Sequence, residues 1–316
     1  MDTSPGQPEY SAEPNLSWIN VGLALSFILF DVALSSVLRL GIERPLITSS
    51  IRCVIQLGLA STLLQKVFDA KNPWAVAAIV CLLNVLGTFE VVVNKSKKRH
   101  PHMFISTLVG LALSNIPVGV LGSRFAMSND PFWDPRQFIP IVGMLCGSTI
   151  SGVVVSSTYI LREFRQVDNS DKVEMYLAFG ATRWEACKSM SVETLRVSLM
   201  PTINQMSVLG IISIPGMMTG ALLGGASVER AAKLQMIIMF MISASNALGC
   251  ILTTVMTLSI LIDGDSRVRA DRIDSRPHAV WRIRSALWLK VVTLARENIP
   301  WMATPKTVAP ASYTLS

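Results

Sequence analysis

EMYLAFGATRWEACKSMSVETLRVSLMPTINQMSVLGIISIPGMMTGALLGG, residues 174–225, is the stretch on which the chain is organised. Its first half is polar and charged, and its second half is apolar with Pro and Gly set inside it. Thr182-Arg183-Trp184-Glu185 fits a capping box, in which Thr caps a new helix and Glu reaches back to the cap's amide. Gly180, two residues earlier, suits a helix end that needs positive φ. The spacing predicts two short helices meeting at a sharp joint, Gly180-Ala181, held outside the membrane. After Pro201 the chain becomes an apolar span interrupted at Pro215-Gly216. An elbow joined directly to a broken membrane helix can pass motion from a partner into the bilayer.

Composition sets the class. Of 316 residues, 51% are hydrophobic and only 16% are charged, with mean hydropathy +0.47. Long uncharged apolar runs in such a chain point to a polytopic membrane protein. The net charge of +7 raises the question of nucleic acid. The basic residues cluster beside apolar runs, where membrane topology explains them, so no nucleic-acid partner is expected. Cys53, Cys81, Cys146, Cys187 and Cys250 form no CxxC pair, so neither a disulfide framework nor a zinc site is expected. Residues 1–14 form a short acidic extramembrane segment without the positive n-region of a signal peptide, so the first span is expected to be retained.

The fold expected is an all-α transmembrane bundle of about seven spans over residues 15–263. Runs long enough to cross a bilayer are Trp18–Leu38, Ile47–Leu64, Trp74–Val93, Met103–Leu121, Phe138–Leu161, Leu199–Leu223 and Leu234–Ile262. Lys and Arg gather in the odd connections: Arg39 and Arg44; Lys95, Lys97, Lys98 and Arg99; Arg162, Arg165, Lys172, Arg183, Lys188 and Arg196. The tail, residues 264–316, is also basic and carries Trp281, Trp288 and Trp301. It reads equally as an interfacial segment or a solvated, partly disordered one. The positive-inside rule then places the N-terminus outside and the C-terminus in the cytoplasm, with the elbow, within 162–198, on the cytoplasmic side.

Charge inside a span is costly and needs a reason. Asp31, Arg52 with Gln56 four residues on, and Glu90 lie toward the cytoplasmic halves of the first three spans. They read as a polar gate or ion path, as a salt bridge of Arg52 with Asp31 or Glu90 that fixes packing, or, for Arg52 and Glu90, as side chains that snorkel to the interface. Gln235, Met239, Ile242, Asn246, Gly249 and Thr253 recur at helical spacing on the last span, a largely small and polar face that should meet protein or a cavity. Asn204 and Gln205 follow Pro201 on the sixth span, and Asn204 is counted with the pathway. Gly216, Gly220 and Gly224, like Gly143, Gly147 and Ser151, form small-residue ridges whose default use is helix packing. Pro215-Gly216 differs, because a mid-span break frees carbonyls that protein or a water-lined path must satisfy. It is the preferred pathway element, together with Met217, Met218 and Gly220. Met sulfur can hold soft metals, but adaptable packing is its commoner use, and no metal site of the chain's own is expected. No Walker A loop and no credible Ser/His/Asp set occurs, so an enzyme is not expected.

With these residues in view, the chain resembles a known family. LAFGATRWEA, Leu177 to Ala186, is similar to a segment of the FetB-type permeases, membrane subunits of ABC transporters that include a bacterial iron exporter and plant aluminium-sensitivity (STAR-type) permeases. The likeness runs on through Arg196, Pro201, Asn204, Gly210, Pro215 to Gly220, Gly224-Gly225 and Gln235, and upstream takes in Arg52, Gln56 and Gly147. Ala221 and Ser148 depart from the family pattern. The resemblance implies that two copies pair and that a separate ATP-binding subunit supplies ATP, none being bound by this chain. It also implies that Glu174, Leu177, Gly180, Ala181, Thr182, Glu185 and Ala186 couple the two. The function expected is export or tolerance of a metal such as iron, a conjugate or nucleotide-sugar being another cargo. A proton-coupled carrier working through Asp31 or Glu90, and a non-transporting scaffold, are the competing readings.

Overall fold

The computed structural model describes residues 17–70, 72–96, 98–263, 267–269 and 272–273. The acidic segment 1–14, Lys97 and the tail from residue 274 on, with Trp281, Trp288 and Trp301, lie outside the described residues. Among those described the secondary structure is helical, with nine α-helices. Six of them are long and apolar enough to cross a membrane. The chain is a multi-pass integral membrane protein built as a helix bundle.

Two compact units divide the chain, residues 1–70 and 71–316. In the first, α1 (Trp18–Val37) and α2 (Glu43–Ala70) form a hairpin. Arg39 at φ 52° and Gly41 at φ 71° make the turn. Buried Ser35 then donates to Glu43 Oε1 at 3.0 Å, tying the end of α1 to the start of α2. The outer faces carry Trp18, Phe27, Phe30 and Leu57 exposed, as suits side chains in lipid. At 28 residues α2 is longer than the span predicted over Ile47–Leu64, because Glu43, Arg44 and Lys66 continue the helix past its apolar centre.

The second unit is centred on α5 (Pro135–Glu163) and α9 (Val228–Leu261), which pack along each other. α4 (Met103–Leu121) lies against both, and α3 (Pro73–Phe89) lies against α4 and α5. Each start has a local cause. Asn72 accepts from the Trp74 amide, Asp134 from that of Arg136, and Ser227 from that of Arg230. Beyond α3 the chain widens into a π-helical turn, Glu90–Lys95, and α4 ends in another, Gly122–Ala126.

Glycine lets the central helices approach closely, as in other membrane bundles. A Cβ at Gly249 would run into the Thr149 methyl, one at Gly152 into the Asn246 carboxamide, and one at Gly110 would sit 2.5 Å from Thr253 Cγ2. The ridges singled out by spacing behave differently. At Gly143, Gly147, Gly216 and Gly220 a Cβ would meet nothing within 4 Å, so these positions border open space rather than a packed helix.

The predicted span Leu199–Leu223 is not one helix. The second elbow helix is not short either. It is α7, Arg183–Val208, which runs unbroken for 26 residues through Pro201. The break comes before Pro215-Gly216, over residues 209–215, where Gly210 turns the chain at φ 89° and Leu209 bridges to Ser213. Pro215 then caps α8, Gly216–Leu223, whose 8 residues reach only about 12 Å. α7 packs on α5 and α9, α8 on α9, and α6 (Val167–Ala178) on α7.

A capped elbow and a neutral cleft as candidate functional site

The elbow is built almost wholly from local hydrogen bonds. α6 ends at Ala178, and Gly180 takes φ 88°. Its amide donates to Leu177 O and that of Ala181 to Tyr176 O, both at 3.0 Å, the two bonds of a Schellman motif. One residue later α7 begins with a complete capping box. The Thr182 amide donates to Glu185 Oε2 at 2.8 Å, and the Glu185 amide to Thr182 Oγ1 at 3.4 Å. The Thr182 hydroxyl also donates to Glu185 Oε2 at 2.7 Å, and the amide and hydroxyl together hold the Glu185 carboxyl below its ordinary range.

Leu177 and Ala186 turn inward. They pack with Val173 and Cys187 against Ile160 and Leu161 of α5, against Phe164 at its C-cap, and against Leu258 and Leu261 of α9. Burial pushes the Cys187 thiol up to about 12. Glu174, Gly180, Thr182 and Glu185 face outward, and Ala181 is half-buried. At the crest stands a side chain that residue spacing did not single out. Phe179, immediately before Gly180, is 82% exposed, with Met175, Tyr176 and Trp184 beside it. Its signal was available: Val173 and Leu177 set the buried face of α6, and Phe179 falls off it.

At its other end α7 borders a cleft of about 480 Å³ between α5, α7, α8 and α9. Of the residues expected on a pathway, Pro215, Gly216, Met217, Gln235 and Asn246 line it. Asn204, Met218 and Gly220 do not. On α7 the face toward the cleft is Ser198, Thr202 and Gln205, so Gln205 takes the place expected of Asn204. Gly147, Ser148 and Ser151 contribute the α5 wall, and Met239 and Ile242 the α9 wall. Further along α9, Gly249 and Thr253 pack into the core instead.

Behind the cleft runs a buried polar chain that joins four helices. Asn115 Oδ1 accepts from Ser245 Oγ at 2.6 Å and from Thr149 Oγ1 at 3.0 Å, and Asn115 Nδ2 donates to Asn84 Oδ1 at 3.3 Å. Next to Ser245, Asn246 Nδ2 donates to Thr202 Oγ1 at 2.6 Å and so links α9 to α7. The charged residues expected in a gate lie elsewhere. Asp31 and Gln56 are exposed and Arg52 half-buried in the first unit. Glu90, half-buried, accepts from Asn94 at 2.6 Å and does not line the cleft.

These features define a polytopic helical membrane protein with a polar cleft among its spans. The chain belongs to the uncharacterised protein family UPF0014, whose model matches residues 18–262. It is 30% identical over 241 residues to a UPF0014 membrane protein of Synechocystis, covering 76% of this chain and 91% of that one. It is 25% identical to the probable iron export permease protein FetB of Escherichia coli, over 77% of this chain and 91% of that one. Against the Arabidopsis thaliana protein ALUMINUM SENSITIVE 3 it is 30% identical, over 73% of this chain and 82% of that one. No solved structure matches the chain.

Proposed function

We propose that the chain is the permease subunit of an ABC-type exporter, with a metal-containing cargo, and that a separate ATP-binding subunit drives it. The observation that carries this reading is α7. One unbroken helix of 26 residues begins in the capped elbow and ends beside the cleft. Motion imposed at Thr182 reaches Thr202 along one continuous helix, which lacks only the amide hydrogen bond that Pro201 cannot make, rather than through a loop. Membership of a family that includes a protein named as a probable iron export permease supports the cargo class.

In this reading the elbow lies in the cytoplasm, which the basic residues Arg162, Arg165, Lys172, Lys188 and Arg196 support by the positive-inside rule. Two copies pair, and each presents one elbow. Phe179 anchors the elbow in an apolar pocket of the ATP-binding subunit, and the exposed carboxylates of Glu174 and Glu185 flank that contact. ATP-driven closure pushes the elbow, and α7 moves against α5 and α9 to open or close the cleft.

The test is co-purification from the native membrane followed by reconstitution with the ATP-binding subunit recovered. The reading predicts that the chain stimulates ATP hydrolysis and that Phe179→Asp abolishes both stimulation and complex formation. Proton-driven cargo flux by the purified chain alone would overturn it.

A further inference from the structure

The cleft that the permease reading uses is electrically neutral. Its polar wall is made of hydroxyls and carboxamides, Ser148, Ser198, Thr202, Gln205, Gln235 and Asn246, and none of the described residues lining it carries a charge. The thioethers of Met144, Met217 and Met239 supply the rest of its chemistry. Gln235 Oε1 is buried without a hydrogen-bond partner, an acceptor already in place.

A bare iron or aluminium ion fits this wall poorly. Hard cations accept neutral carbonyls as well as carboxylates, but a trivalent ion such as iron(III) or aluminium favours anionic oxygen that offsets its charge, and iron(II) favours imidazole or carboxylate. Here an ion would exchange its water shell for neutral groups with no counter-charge, which is unfavourable in a weakly polar interior. Size points the same way. About 480 Å³ lies inside the range of roughly 300–1,000 Å³ typical of small-molecule sites. It far exceeds what a dehydrated ion fills.

Resting on that permease reading, we infer that the cleft takes its metal as a neutral complex, the ion already enclosed in organic oxygen ligands, and recognises the ligand shell rather than the ion. Carboxamide and hydroxyl donors meet the outer oxygens of the shell. Gln235 accepts from a shell hydroxyl, and the methionines cover its ring faces, where sulfur–aromatic contact is favourable.

Binding to the chain alone tests this without involving the ATP-binding subunit, so a failure of energy coupling leaves the result intact. The full chain in nanodiscs is dialysed to equilibrium against three iron probes, and retained metal is counted. The probes are the neutral tris-kojate complex of iron(III), whose free hydroxymethyl groups can donate to Gln235, the tris-catecholate complex of similar size and charge −3, and the aqua iron(II) ion. The neutral complex should bind saturably at about one per chain, and the other two should stay at background. Gly147→Leu, at a position with open space for the new side chain, should fill the cleft and weaken binding at least tenfold. Gly143→Leu, on the same ridge but away from the cleft, should leave it unchanged. Retention of the aqua ion or of the trianion in a Gly147-sensitive manner would overturn the inference. So would absence of binding by the neutral complex, or wild-type binding by Gly147→Leu.

Discussion

The carboxamide of Asn246 on α9 donates to the hydroxyl of Thr202 on α7 at 2.6 Å, and both side chains are buried at the wall of the cleft. This bond sets the register of the helix that leaves the elbow against the helix that carries the polar face. Thr202→Val removes the acceptor and strands the buried amide, a loss of about 1–3 kcal/mol. Thermal unfolding in detergent should show a lower midpoint. Adding Asn246→Leu, similar in volume, should recover part of it, because a pair of apolar groups leaves no donor unsatisfied. An unchanged midpoint in the single variant would show that the bond carries no weight.

Gly180→Val should disable the elbow without preventing membrane insertion. The backbone there lies at φ 88°, which a β-branched residue strongly resists, while a Cβ would meet nothing within 4 Å. The damage is therefore conformational and confined to the joint. Expression and detergent elution should match wild type, and stimulation of ATP hydrolysis should fall at least tenfold. Full stimulation would remove the elbow from the coupling route.

The capping box should fail in acid. The bonds from Thr182 hold the folded Glu185 carboxyl below its ordinary value of 4.5. A depressed carboxylate contributes stability that is present above the unfolded value and lost as pH falls through the lower folded one. Amide exchange in the first turn of α7 should show constant protection from pH 7 to about 5 and lose it only below 4.5. Glu185→Gln, which can still reach back to the cap amide, should remove that acid dependence.

Cys187 should be inert while the elbow is seated. Its thiol is buried between the elbow and the ends of α5 and α9, and burial pushes it up to about 12. In a variant whose other cysteines are Ala, maleimide labelling at pH 7.5 should be slow. Leu177→Ala, which opens the same cluster, should speed it at least tenfold. Fast labelling of the unaltered elbow would mean that it is not held against the bundle.

Local chemistry made the elbow legible. Gly180, Thr182 and Glu185 specify a joint through bonds only a few residues apart, and the joint is formed at the residues predicted. Six of the seven expected spans were legible too, because long apolar runs leave a chain little choice in lipid, while Leu199–Leu223 was not. Tertiary choices were not. Gly152 and Gly249 pack tightly while Gly143 and Gly147 face open space, and spacing alone cannot say which side of α5 meets a neighbour. Asn204 and Gln205 are adjacent and point about 100° apart, so the face of α7 had to be fixed by Ser198 and Thr202 before Gln205 could be chosen. The break before α8 was placed late because Pro215 marks where a helix can start, whereas Gly210 has already turned the chain.

The central claim is that α7 transmits force as one rod from Thr182 to Thr202. Two glycines inserted after Arg196 interrupt that rod and rotate everything beyond it by about 200°, leaving the elbow sequence intact. Cargo flux in proteoliposomes with the ATP-binding subunit is the measurement. The insertion should leave complex formation at the wild-type level and abolish flux. Wild-type flux through the interrupted helix would contradict the account.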